Sequence, residues 1–291
     1  MAFLKTLPVS PVLSRPVNEG REKREIPEFP KQTETGKTGS EGSPSRCRWC
    51  MHFGRPGHSA GYCGSADRPD LPQGRVYAHR APHAATPRTA KLVSVRQAMA
   101  QHKATHHFVS TVDDVAWITN LRGADVDYNP VFLAHLLIDA TRATLFVGAD
   151  KIEPALASEL SADGITLAGY DQAAASLASL PAGSTLLLDP RRVTLAFRGR
   201  VPGDVTVVEA INPSTLAKSR KTADEAAHIR EAMAEDGAAM CHFYAWFEAA
   251  LARGDRLTEI TVDEKLSAER ARRAGFVGLS FPVIAGYNAN G

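Results

Sequence analysis

The stretch Asp113–Ile138, DDVAWITNLRGADVDYNPVFLAHLLI, constrains the fold more than any other. Val115, Ile118 and Leu121 recur at helical spacing. Asp113 and Asp114 sit in the first turn, where carboxylates suit the helix dipole. Gly123 is the expected stop, in the left-handed position that ends many helices. Tyr128-Asn129-Pro130 then launches a second apolar run, Val131–Ile138, of strand length. A helix that turns sharply into a buried strand needs a sheet and a further layer to cover it.

The flanking sequence supplies both. Leu92, Val95, Ala98 and Met99 make Lys91–His102 a short amphipathic helix, capped by Thr86 or Thr89. His107–Thr111 reads as a buried strand. Val131–Ile138 and Thr144–Val147 lie close together in sequence, so they are expected as antiparallel neighbours. Helices are expected at Ile152–Leu160, with Pro154 in the first turn, at Tyr170–Leu180 and at Asp189–Phe197. Strands are expected at Ile165–Ala168, Ser184–Leu188 and Val205–Val208. The result is an α/β domain with a mixed sheet over residues 76–215. His106, His107 and His135 lack metal-ligand spacing and read as structural. Asp125 and Asp127 could share one side of a loop, but a turn-forming acidic loop is the simpler reading. There is no Gly-x-Gly-x-x-Gly, Walker or Gly-x-Ser-x-Gly sequence to support a nucleotide-binding or serine-hydrolase reading.

Residues 1–75 differ in character. Eleven of the 18 prolines fall before residue 90. Residues 1–90 hold 14 Lys/Arg against 8 Asp/Glu, a net of +6, whereas residues 91–291 hold 20 against 24, a net of −4. EGREKREIPEFPKQTETGKTGSEGSPS has no apolar period and is expected to be disordered. The basic excess therefore belongs to a tail, and a nucleic-acid partner is not expected. Within it, CRWCMHFGRPGHSAGYC places Cys47, Cys50, His58 and Cys63 as a candidate zinc site. A C-x2-C turn presents two thiolates to one ion, and a tetrahedral Zn²⁺ takes four such ligands. The end of this segment is similar to a zinc knuckle, but seven residues separate Cys50 from His58 and His52 competes as a ligand. Free thiols in a loose segment are the other reading. No apolar run approaches a membrane span and no secretory signal is evident, so a cytoplasmic location is expected.

Residues 216–291 read as helices followed by a strand. Thr222 with Glu225 forms a capping box for a helix running to Arg253 and closed by Gly254. Its expected apolar face is Ile229, Met233, Gly237, Met240, Tyr244, Phe247 and Leu251. Thr261 with Glu264 is a second capping box, for a helix ending near Gly275, and Phe276–Ile284 is expected as an edge strand. Two such helices and one strand cannot close a core. The face of the long helix is expected to stay uncovered and to favour association, including with a second copy of the chain.

These residues resemble a family. DDVAWITNLRGADVDYNPVF is similar to the signature of three-domain Xaa-Pro aminopeptidases, the aminopeptidase P type of the M24 metallopeptidases with the creatinase pita-bread fold. SRKTADEAAHIREAMAEDGAAMCHFYAWFE and LTEITVDEKLSAERARRAGFVGLSFPVIAGYNANG resemble the linker and first elements of the catalytic domain. The resemblance covers about Arg75 to Gly291. It implies a creatinase-like, non-catalytic domain at 76–215 and an incomplete pita-bread domain at 216–291. It also implies a hydrolase that removes a residue ahead of proline, acting on peptides with proline in second position through a dinuclear Mn²⁺ or similar site held by Asp, His and Glu. Those ligands are expected beyond the part of the motif present here, so none is assigned to a residue of this sequence. An inactive fragment is the expectation, with a binding or regulatory role as the alternative.

Overall fold

The computed structural model describes residues 70–287. The chain runs through β1 (Tyr77–Ala78), α1 (Arg88–Gln101), β2 (His106–Val109), α2 (Val112–Thr119), β3 (Leu121–Arg122), β4 (Ala134–Asp139), β5 (Ala143–Val147), α3 (Pro154–Ala162) and β6 (Ile165–Gly169). It continues through α4 (Ala173–Ala178), β7 (Thr185–Leu188), α5 (Leu195–Arg198), β8 (Thr206–Glu209), α6 (Pro213–Ser219), α7 (Ala223–Ala252) and α8 (Glu259–Ala271).

Six strands form one mixed sheet in the order β6-β5-β4-β2-β7-β8. β4 pairs antiparallel with both β2 and β5, and the remaining pairs are parallel. β1 and β3 form a separate antiparallel pair, Tyr77 opposite Arg122. The period of two in the strands sorts their side chains into two cores. Ala134, Leu136 and Ile138 of β4 and Ala143, Leu145 and Val147 of β5 face α1, α2 and α3 through Leu92, Val95, Ile118, Leu156 and Leu160. Phe108, Phe146, Leu186 and Leu188 face the other way, onto Ala173 and Leu177 of α4. Phe108, Phe132 and Phe146 are almost wholly buried. Each such ring contributes about 2–3 kcal/mol by leaving water.

The fold class and mixed sheet match the sequence expectation, and β4 and β5 are the expected antiparallel neighbours. Several local expectations need correction. Asp189–Phe197 is not a helix. Asp189 instead turns the chain, its carboxylate accepting from the Arg191 and Asn212 amides, and only the single turn α5 follows, capped by Thr194. α1 starts at Pro87 with no side-chain cap, so neither Thr86 nor Thr89 caps it. Thr258, not Thr261, caps α8 by accepting from the Thr261 amide. Phe276–Ile284 forms no strand, since no strand of the described residues lies beside it to complete a ladder.

The capping box at Thr222 and Glu225 is present as expected, and Gly254 takes the left-handed conformation past the end of α7. The expected apolar face of α7 stays largely uncovered, as expected, and the helix packs through another stripe. Ala239, Phe243 and Ala250 are buried, while Ile229, Met233, Tyr244 and Leu251 stay exposed. α8 lies against α7, where Arg270 pairs with Asp236 at 2.6 Å and Arg273 approaches Glu235 at 3.7 Å.

Candidate functional site

The best-formed polar site lies where α2 ends. The chain reverses there from helix to β3, which demands a left-handed residue. Asn120 supplies it at φ 51°. Asn pays less for this conformation than bulkier residues do. The same residue then knits three segments together. Its backbone carbonyl accepts from His79 N–H at 2.8 Å, its Nδ2 donates to the Thr86 carbonyl at 2.9 Å, and its Oδ1 accepts from Lys91 Nζ at 2.6 Å. Lys91 also donates to the Trp117 carbonyl at 3.0 Å and lies over the Trp117 ring. Arg122 donates to the carbonyls of Ala116 and Leu121. Both cations are therefore held by neutral acceptors, with no carboxylate among their hydrogen-bond partners.

That leaves an electropositive corner. Burial, with the Arg122 charge next in effect, brings the Lys91 ammonium down to about 8. Burial also lowers Arg122. Burial and then Arg122 bring His79 down to about 4, so its ring is neutral at neutral pH. In front of this corner is a cavity of about 490 Å³, walled by His79, Arg80, Arg88, Thr89, Asn120 and Asp163. Arg80 binds Glu159 through two oxygens, at 2.8 and 2.9 Å. α7 touches the rim: His228 Nε2 donates to the Pro82 carbonyl at 3.0 Å, and its ring stands against that of His83.

A second polar cluster fixes where the chain leaves the sheet. Asp114, at the start of α2, accepts from Asn212 Nδ2 and from Thr215 Oγ1, both at 3.2 Å. Lys218 of α6 pairs with Asp113 and Asp114. Burial opposes the Lys218 charge, but these two carboxylates outweigh it and raise its pKa. α6 is thereby clamped onto α2 just ahead of α7.

The residues weighed from sequence fall out as follows. Asp125 and Asp127 do not form a shared site. The Asp125 side chain is buried, accepting from the Leu133 amide and pairing with Lys151, while Asp127 is exposed. His107 is buried and donates from Nδ1 to the Leu187 carbonyl. His135 bonds Ser110 and stacks between Phe108 and Tyr170. Both are structural, as is His106, which bonds Thr105. Gly123 does not have the left-handed role; Asn120 does. Cys47, Cys50, His52, His58 and Cys63 lie outside the described residues. Sequence reasoning missed Lys91, Asn120 and Asn212. The only available signal for Asn120 was a left-handed-tolerant residue directly after a helical run. Among the described residues, no group of three or more His, Cys, Asp or Glu is arranged to hold a metal ion. The dinuclear site that the resemblance implies has no ligand set among the described residues, and no chemistry is assigned through it. Among the same residues, no helix is long and apolar enough to cross a membrane.

A mixed sheet with helices on both faces, extended by a clamped helical linker, defines a creatinase-type α/β domain. Residues 67–225 match the family model described as the creatinase/prolidase N-terminal domain. A probable Xaa-Pro aminopeptidase P of Fusarium vanettenii is 30% identical over 239 residues, covering 77% of this chain and 38% of that protein. Xaa-Pro aminopeptidase 1 of Dictyostelium discoideum is 34% identical over 205 residues, covering 69% and 32%. The chain belongs to the Xaa-Pro aminopeptidase family and carries its creatinase/prolidase N-terminal domain. An X-prolyl aminopeptidase from Caenorhabditis elegans, described as a cytosolic enzyme with a di-nuclear active site, shares the fold at a TM-score of 0.68 and 23% identity, over 75% of this chain and 36% of that one. The chain spans about a third of the length of these relatives.

Proposed function

We propose that this chain supplies the non-catalytic α/β domain and the opening helices of an Xaa-Pro aminopeptidase, and that it positions structure and does not itself cleave peptides. The observation that carries this reading is the clamp of Asp113 and Asp114 on Lys218, Asn212 and Thr215. It sets the direction in which α7 leaves a domain of the creatinase/prolidase N-terminal family. In the intact family the substrates are peptides with proline in second position and the cofactor is a pair of Mn²⁺ or similar ions. The reading places the protein in the cytoplasm, like the nematode relative. The test is to incubate the chain with Mn²⁺ and a peptide carrying proline in second position. No release of the first residue above a metal-free control is expected. Release above it would overturn the positioning role.

Cys47, Cys50, His58 and Cys63 form a separate zinc site in this reading, on the strength of ligand type and spacing. A one-to-one zinc titration that is lost in Cys47→Ser supports it. Absence of stoichiometric binding removes it.

A further inference from the structure

We draw no further inference here: the strongest candidate, the apolar face of α7 formed by Ile229, Met233, Tyr244 and Leu251, stays exposed among the described residues, and nothing in the structure shows what covers it.

Discussion

At the scale of single residues, Asn120 decides more than any other position. It holds a left-handed backbone, a buried ammonium and the Thr86 carbonyl at once. Asn120→Ala places a Cβ-bearing residue without local hydrogen bonding in that conformation, at about 1 kcal/mol. It also strips Lys91 of its closest acceptor, and losing a hydrogen bond to a charged group adds about 1.5–3 kcal/mol. The expected loss is about 2.5–4 kcal/mol in urea unfolding. Asn120→Gly should lose about 1 kcal/mol less, because it relieves only the backbone term. Equal losses for the two variants would remove the left-handed strain from the account. This corner also shows where sequence reading stops. Asn and Gly both tolerate left-handed geometry, and Asn-Leu-Arg-Gly offers one of each, so Gly123 was the natural choice. The structure uses Gly123 for proximity instead: a Cβ there would stand 2.7 Å from Cβ of Phe132. Gly123→Ala should therefore cost about 1–3 kcal/mol through overpacking, read as a lowered melting temperature. That Lys91 turns inward was not legible, because its partners, Asn120 and the Trp117 carbonyl, lie 26 or more residues away in the chain.

At the scale of elements, what depends on neighbours in sequence was legible and what depends on neighbours in space was not. The Thr222–Glu225 capping box is local chemistry. It forms as read, with Thr222 Oγ1 accepting from Glu225 N–H and the Glu225 carboxylate accepting from Thr222 N–H. The strands β4 to β7 were legible from apolar runs between turns. That the Ile229, Met233, Tyr244 and Leu251 face of α7 would stay uncovered was legible from the lack of further elements to cover it, whereas the stripe of Ala239, Phe243 and Ala250 that does pack was not, because it depends on neighbours in space. Met233 at 62% exposure and Tyr244 at 53% record the result. Phe276–Ile284 failed for the same reason, since an apolar run becomes a strand only beside another. The first half of α7, from Ala223 to Ala238, buries no residue completely. Apart from the His228 contact to Pro82 and the ion pairs of Glu235 and Asp236 with α8 at its end, this half of the helix rests on its own hydrogen bonds. Amides there should exchange with solvent far faster than those of β4, which is flanked on both sides and faces buried layers. Hydrogen-exchange mass spectrometry checks this. Protection in Ala223–Glu235 equal to that in β4 would mean that this half of the helix is covered in solution.

At the scale of the whole molecule, two buried imidazoles make stability depend on pH. Burial brings His107 down to about 4 and His135 down to about 4, from the ordinary 6.5. Hydrogen bonding of His107 to the Leu187 carbonyl and nearby Asp114 only partly offset its burial. The unfolded chain therefore binds protons between pH 6.5 and about 4 that the folded chain does not. Stability from these groups is complete above the unfolded value, falls as pH drops through that window, and changes little below it. With about 1.4 kcal/mol for each tenfold step, the two together should remove about 7 kcal/mol at most between neutral pH and the acid end of the window. A typical domain holds only about 5–15 kcal/mol, so the fold should approach its limit there. Urea unfolding at a series of pH values measures the slope. His135→Phe is the informative variant, because the site is already an aromatic stack with Phe108, Tyr170 and Phe197. An apolar ring should fit that stack and leave only the partly buried Ser110 hydroxyl without its partner. The variant should lose about half of the acid-dependent destabilisation while remaining folded at neutral pH. If its stability falls with pH as steeply as that of the parent, the imidazole of His135 is not the group whose protonation opposes folding, and the acid sensitivity must lie with His107, His79 and the surface carboxylates.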